Sequence, residues 1–589
     1  MGSREGRSST AFTCTLALGT GLGLALAVTW LLGGGLRRAT LAQSSSGVIR
    51  VAATGEDAPG CGSVASPCRT VQFAVDQALP GEEIRVAGGV YTGVQNVPSL
   101  NTGAFTATQL VVITKSLTIR GGYSPGDWTT ADPEGNLTVL DAAGQGRVLV
   151  ITGLISATIE GLHITNGGAS GLGGSFRAAD GGGVYVFEAS VTISHCTIYS
   201  NAASSDKSSW DSGSGGGLYL EGSSHARLLG NVVVRNTATW RGHGYGGGLL
   251  MLDSPDAILR GNVISDNLGT GSSNGLGGGM YVLGSDDIVL DDNAICSNTG
   301  SLGANYYGGG LYLFKSDRAT LTRNTIKGNV GGSAWSWGGG LFLDLCSDVT
   351  LARNTIESNV ASTFQGWGGG LYAVGCKDAT VSGNLIVGNS GTSNLARRSW
   401  GGGLYIERGE NITLTNNAVV DNHATTSGSG LFVAGASPRL LHNTFACNGG
   451  GGSAVTVDRD EHWSAEYFGT VAMTNTILVG HGVGISVTGG NTVTVNSVLW
   501  HDTPVTVSRA LTAVITLQNQ YTGDPLLAAD RFHLTEGSAA VNEGVEAGVT
   551  VDIDGEPRPG GLRPDLGADE FPQWVVFLPV VTRDYPASQ

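Results

Sequence analysis

The sequence predicts an all-β chain, a right-handed single-stranded parallel β-helix with an N-terminal capping helix, and three observations carry that prediction. A Gly triplet, once written Gly-Ser-Gly, begins at Gly181, Gly215, Gly246, Gly277, Gly308, Gly338, Gly368, Gly401 and Gly428, so its copies fall about 27 to 34 residues apart, a spacing that belongs to stacked repeats. Each triplet is followed by strict alternation, as in Leu311-Tyr312-Leu313, Leu371-Tyr372-Ala373 and Leu404-Tyr405-Ile406; period two places the aliphatics on one strand face and the ring on the other. Each unit then carries two Asn five residues apart, from Asn231/Asn236 through Asn324/Asn329 to Asn443/Asn448, and stacked Asn amides can bond from coil to coil as a ladder.

The triplets need a reason. Gly inside regular structure is less stable than Ala by roughly 0.5–1 kcal/mol, so nine triplets would cost about 13–27 kcal/mol, more than the net stability of a typical domain, about 5–15 kcal/mol. They must occupy positions that admit no side chain: a corner of positive φ, or a close approach of two backbones. The pattern around each Asn pair adds two short strands, giving three strands per coil with left-handed turns at the Asn, and the Ser/Gly/Thr-rich stretch after the second Asn reads as a flank of loops. Propeller blades, leucine-rich repeats and collagen have other periods.

The chain has 589 residues, 41% hydrophobic and 14% charged, enough to build a long quasi-one-dimensional core. Its net charge of -16, with 32 Lys and Arg scattered without runs, would repel a polyanion, so nucleic acid is excluded as a partner. Arg4 and Arg7 precede an apolar stretch from Ala11 to Leu36, and Thr40-Leu41-Ala42 offers small residues before Gln43; residues 1–42 read as a secretory signal, with an uncleaved membrane anchor as the alternative. Residues 43–150 then form the N-terminal cap and first coils, 151–520 the repeat solenoid, 521–571 a C-terminal cap module, and 572–589 a tail. Val71, Ala74, Val75 and Ala78 share one helical face after the N-cap Thr70, and that helix plugs the N-terminal opening. Cys61 and Cys68 flank a short polar loop and suit a disulfide in an oxidising compartment. Cys346 and Cys376 each stand eight residues after the first Gly of their triplets, one coil apart, and a second disulfide is expected between them.

At this point the wording resembles a known family. "IRVAATGEDAPGCGSVASPCRTVQFAVDQALPGEEIRVAGGVYTG" resembles the opening segment of secreted bacterial right-handed parallel β-helix repeat proteins of the pectin-lyase-like superfamily. "GDPLLAADRFHLTEGSAAVNEGV" and "DIDGEPRPGGLRPDLGADEF" are similar to the closing module of the choice-of-anchor Q group. The apolar "VVFLPVV" resembles the C-terminal tails of exported proteins of filamentous green non-sulfur bacteria, and reads as a sorting tag or as a final edge strand.

The superfamily resemblance implies polysaccharide lyases and glycoside hydrolases among its members. A lyase needs clustered Asp for calcium with a basic residue, and a hydrolase needs Asp and Gly-His-Gly in a set order. Gly242-His243-Gly244 is present, with Asp286-Asp287 and Asp291-Asp292, but the order does not match. The Asp pairs read as solvated surface and Asp552 and Asp554 as structural parts of the closing module. No metal site or cofactor is predicted; calcium is the one candidate. Aromatic residues give the stronger signal: Tyr245, Tyr307, Trp337, Trp367 and Trp400 stand directly before their triplets. Exposed, such a column would be a flat strip on which a sugar polymer stacks. The expected function is therefore that of a secreted or cell-surface protein that binds carbohydrate or serves as a structural or adhesive element, with a polysaccharide or cell-envelope glycan as partner; the alternative is a lyase or hydrolase of an acidic polysaccharide. Membrane contact is expected only through the N-terminal segment or the tail.

Overall fold

In a computed structural model of the protein, residues 47–572 are described, apart from 99–105, 175–176, 178, 304 and 461–466. The expected signal segment and tail lie outside them. Strands of successive repeats pair in parallel and in register: Leu311 lies beside Leu341, Leu341 beside Leu371, and Leu371 beside Leu404. Each repeat is thus one coil, stacked on the next at about 4.8 Å. The coil has five short strands where three were expected. In one repeat they are Leu341–Asp344, Thr350–Ala352, Thr355–Glu357, Val360–Ser362 and Gln365–Trp367. The two additional strands come from the small-residue stretch expected to be loops. It forms 9-stranded and 8-stranded sheets of its own, whose walls lie so close that a Cβ on Gly366 would meet Gly391 O, in the facing sheet, at 2.0 Å.

Each member of the Gly triplet has its own cause. Gly338 has φ 68°, the left-handed region that costs other residues about 1–2 kcal/mol. A Cβ on Gly339 would lie 2.5 Å from Gly369 O in the next coil, and one on Gly340 would lie 2.8 Å from the Asn359 amide nitrogen. The triplet is the corner where the backbone wraps against the Asn ladder.

That ladder is complete. Asn324 Oδ1 accepts from the backbone N and the Nδ2 of Asn293, both at 2.9 Å, while its own Nδ2 donates to Leu290 O at 2.8 Å and to Asn354 Oδ1 at 3.0 Å. All four bonding directions of the amide are used, and Asn324 is buried. The left-handed turns fall one residue earlier than expected, on Arg323, Arg353 and Ser358 among others, because the Asn is held inward by its four bonds and its predecessor takes the bend.

The helix Val71–Gln77 is capped by Thr70 Oγ1, which accepts from Phe73 N at 3.3 Å, and packs Val71, Ala74, Val75 and Ala78 on the start of the main core. Cys61 and Cys68 are disulfide-bonded, with Cα atoms 5.0 Å apart. Cys346 and Cys376, expected to bridge, are free buried thiols. In a parallel in-register stack, equivalent side chains point the same way, so their Cβ atoms keep the rung spacing of about 4.8 Å, wider than the roughly 3.5–4.5 Å a bridge requires. Each thiol donates instead to carbonyl groups, Cys346 to Asp344 O at 3.4 Å and Cys376 to Val374 O at 3.6 Å.

Residues 526–571 do not cover the open end of the solenoid. They fold back along its flank. Phe532, Leu527 and Ile553 pack on Leu385, Val387, Ala418, Val420 and Ala446, and Asn416 Nδ2 donates to Val551 O at 2.7 Å. These are outward positions of the strands Leu385–Val387, Ala418–Val420 and Thr444–Ala446; in the preceding coils the same column holds Thr325, Lys327, Thr355 and Glu357. The change from polar to apolar marks where the module docks.

Candidate functional site

The outer face of the 15-stranded sheet carries the aromatic residues. Alternation sends Leu341 and Leu343 into the main core and Phe342 outward, so Tyr185, Tyr219, Tyr281, Tyr312, Phe342, Tyr372, Tyr405 and Phe432 form a second apolar layer. Beside it runs the column in front of the triplets, in the register Tyr245, Leu276, Tyr307, Trp337, Trp367, Trp400 and finally Ser427.

The column differs from the expected flat strip. Trp337 stacks on Tyr307 at 4.9 Å and 10°, on Trp367 at 5.1 Å and 9°, and Trp367 on Trp400 at 5.3 Å and 8°. Rings separated by one coil spacing and facing along the axis cover each other's flat faces; they turn their edges outward. Trp367 is only 8% exposed, and Tyr307, Trp337 and Trp400 are half-buried. Tyr245 is separated from the others by Leu276 and has the Arg177 guanidinium 4.4 Å over its ring. Trp400 and Tyr307 end the spine: their outer neighbours in the column are Ser427 and Leu276, so no ring of the column covers the second face of either, although Tyr307 also lies 6.2 Å from the Tyr312 ring.

Next to the rings, a group of carboxylates that the sequence reading missed sits at the ends of the same strands. Asp344 and Glu407 occupy one column two coils apart, in register through Val374. Tyr312 Oη donates to Asp344 at 2.8 Å, and Tyr372 Oη donates to Glu407. Arg408 pairs with Glu407 at 3.0 Å and with Asp460 at 3.1 Å. Burial, and then the Glu407 charge, push Asp344 above the usual carboxylate range, and burial raises the Tyr312 and Tyr372 phenols, keeping them neutral donors. The signal available was a column in which Glu221, Asp344, Glu407 and Asp458 interrupt apolar residues, visible once the repeats are aligned.

Of the two Asp pairs flagged by sequence, Asp286, Asp287 and Asp291 are ion-paired. Arg318 bridges Asp286 at 3.2 Å and Asp287 at 2.7 Å. Asp291, read as solvated, is buried with its side chain 6% exposed between Arg260 and Arg323, because neighbouring coils place a guanidinium on each side of it; Asp292 is exposed. His243 is exposed beside Ser273, 3.3 Å from its Oγ. Asp552 is buried and accepts from the backbone N of Asp554, Glu556 and Glu570, while Asp554 lies in a separate cluster. There, His533, Asp554 and Asp569 bring ligand atoms within 4.8 Å of one another, the one group of metal-ligating type among the described residues. Its imidazole already donates to Asp530 at 2.6 Å and Asp554 at 2.7 Å. Burial lowers the His533 pKa but the two carboxylates outweigh it, raising it to about 9.

The chain matches the family described as "Right handed beta helix region" over residues 142–339 and 246–399. No curated protein matches it. Among solved structures it is similar to pectate lyase Pel9A, at 13% identity over 89% of this chain and 96% of that one with a TM-score of 0.28. It is also similar to the periplasmic alginate epimerase AlgG, at 11% over 76% and 87%, TM-score 0.39, and to PfbA, a surface adhesin of Streptococcus pneumoniae, at 13% over 66% and 88%, TM-score 0.34. The chain is a right-handed parallel β-helix. No helix among the described residues is long and apolar enough to cross a membrane.

Proposed function

We propose that this is an extracellular or cell-surface protein in which the β-helix is a rigid structural and adhesive rod, contacting carbohydrate at one place, the end of the ring spine at Trp400. The observation that carries the reading is the stacking itself. Trp337 has a ring on each face, and such pairs add about 0.5–1.5 kcal/mol each, so the inner rings serve stability. Trp400 has a ring on one face only within the column, leaving an indole surface of the kind that stacks on a sugar. The Cys61–Cys68 disulfide fits an oxidising compartment.

Retention on immobilised polysaccharides tests this. Trp400→Ala abolishes retention and costs one stacked pair, whereas Trp337→Ala costs two pairs and leaves retention intact below its melting temperature. Retention that survives Trp400→Ala sinks the reading.

A second reading is favoured by the Asp344–Glu407 column: two carboxylates on nearby coils are what a glycoside hydrolase or lyase requires. Here both are already engaged by Tyr hydroxyls, which supports the rod. Release of reducing or unsaturated ends from pectin or alginate, lost in Glu407→Gln, would establish the enzyme instead.

A further inference from the structure

The turns that join the 9-stranded sheet to the 8-stranded sheet stack coil on coil, because both sheets keep their register from repeat to repeat. Side chains at these turns therefore stand in a straight row. Its outermost members are apolar: Trp210, Leu302, Trp335 and Leu395 are 52–72% exposed, and Trp210 and Trp335 are the exposed tryptophans among the described residues. A single exposed apolar side chain is ordinary, whereas a line of them marks a contact surface. From the coil of Trp210 to that of Leu395 the row climbs six rungs, about 29 Å.

Charge along the row runs against that of the chain. Beyond Asp211 its turns, 240–243, 271–274, 302–305, 333–334, 363–364 and 393–398, contain Arg241, Arg397 and Arg398 and no carboxylate, although the chain carries a net charge of -16. The turns that follow the ring strands hold Asp in coil after coil, at Asp256, Asp286, Asp317, Asp348 and Asp378. In the apolar row the cations rest on rings. Arg241 Cζ lies 4.7 Å from the Trp210 ring, Lys207 Nζ 4.5 Å from Trp240, and Arg397 Cζ 4.1 Å from Phe364.

We infer that this row is a docking edge for an anionic bilayer surface, on which the rod lies lengthwise. Ring faces under a cation are closed to a pyranose, and Leu302 and Leu395 offer a sugar nothing to stack on. A bilayer interface takes all three kinds of group: Trp at headgroup level, aliphatic tips at the acyl boundary, and Lys or Arg against anionic lipid. Because the stack is in register, the four tips can meet a plane together. The edge is separate from the carbohydrate contact proposed at Trp400, whose removal serves as a control.

A polarity-sensitive fluorophore on full-length Ala396→Cys, within the row, tests the inference against the same probe on Thr380→Cys, an exposed site in another sheet. Vesicles containing one-third phosphatidylglycerol should blue-shift the probe at 396 and leave that at 380 unchanged, while pure phosphatidylcholine vesicles shift neither. Arg397→Gln and Arg398→Gln should each raise the vesicle concentration at half-shift about fivefold. Trp335→Ser combined with Leu395→Ser should abolish the shift, and Trp400→Ala should leave it intact. No shift at 396, equal shifts at both sites, or a shift that phosphatidylcholine also produces overturns the docking edge. A shift with polygalacturonate and none with vesicles overturns it too, assigning the row to a glycan.

Discussion

Replacing Asn324 by Ala removes four hydrogen bonds from the interior of the ladder. The backbone N–H of Asn293 and one hydrogen of its amide lose their acceptor, and Leu290 O and Asn354 Oδ1 each lose a donor. Two buried donors without a partner cost about 1–3 kcal/mol each, so the expected loss is about 2–6 kcal/mol. Asn231 is the internal comparator. It stands at the start of its ladder, where its Oδ1 accepts from Cys196 N at 3.0 Å, so Asn231→Ala orphans one buried donor and costs about 1–3 kcal/mol. Coils of a solenoid can open separately, so urea unfolding is to be read together with exchange of the Asn293 amide, which accelerates in Asn324→Ala. A loss under about 1 kcal/mol, or one no larger than for Asn231→Ala, refutes the ladder as the element that joins the coils.

Three further outcomes are expected. Asp291→Asn, which removes the charge held between Arg260 and Arg323, lowers stability by about 1–3 kcal/mol, while Asp292→Asn one residue away stays within about 0.5 kcal/mol; equal effects in thermal melts would return Asp291 to the surface. The docked module loses stability as pH rises: the His533 contribution is full below 6.5 and lost through about 9, and ionising Asp569, which burial raises to about 6, opposes folding above that pH. The slope of the urea midpoint between pH 6.5 and 9 is thus flattened in His533→Gln; a slope that persists contradicts the ion triad. Cys346 and Cys376 resist thiol reagents in the folded protein, because burial raises both thiols, and react after unfolding; a disulfide-linked peptide spanning the two would contradict the parallel side-chain geometry.

The architecture was legible because a solenoid writes its geometry once per coil: the triplet, the Leu-aromatic-Leu strand and the Asn pair each recur with the period of the turn. What stayed hidden depends on relations the period does not encode. The ring column was readable as a column, but whether its faces point outward or along the axis is a matter of side-chain rotation. Asp344, Glu407 and Asp460 lie on different repeats and meet only through the register. The apolar switch at Leu385, Val387, Ala418 and Val420 was present in the sequence, but its meaning required knowing that residues 526–571 run back along the flank. For the same reason Cys346 and Cys376 were correctly placed in adjacent coils and wrongly joined: stacking brings the backbones together and keeps the Cβ atoms apart.

The most direct test of one turn per repeat is a spin-label distance series along an exposed column. Arg227 and Thr380 are both exposed and are connected by register through Ile258, Val289, Thr320 and Thr350. Labels at Cys-substituted 227 and 380 should lie about 24 Å apart, and moving the second label to 350 should shorten the distance by about 4.8 Å. Distances that do not change by one rung per repeat would contradict the solenoid, and with it the ladder and the ring spine.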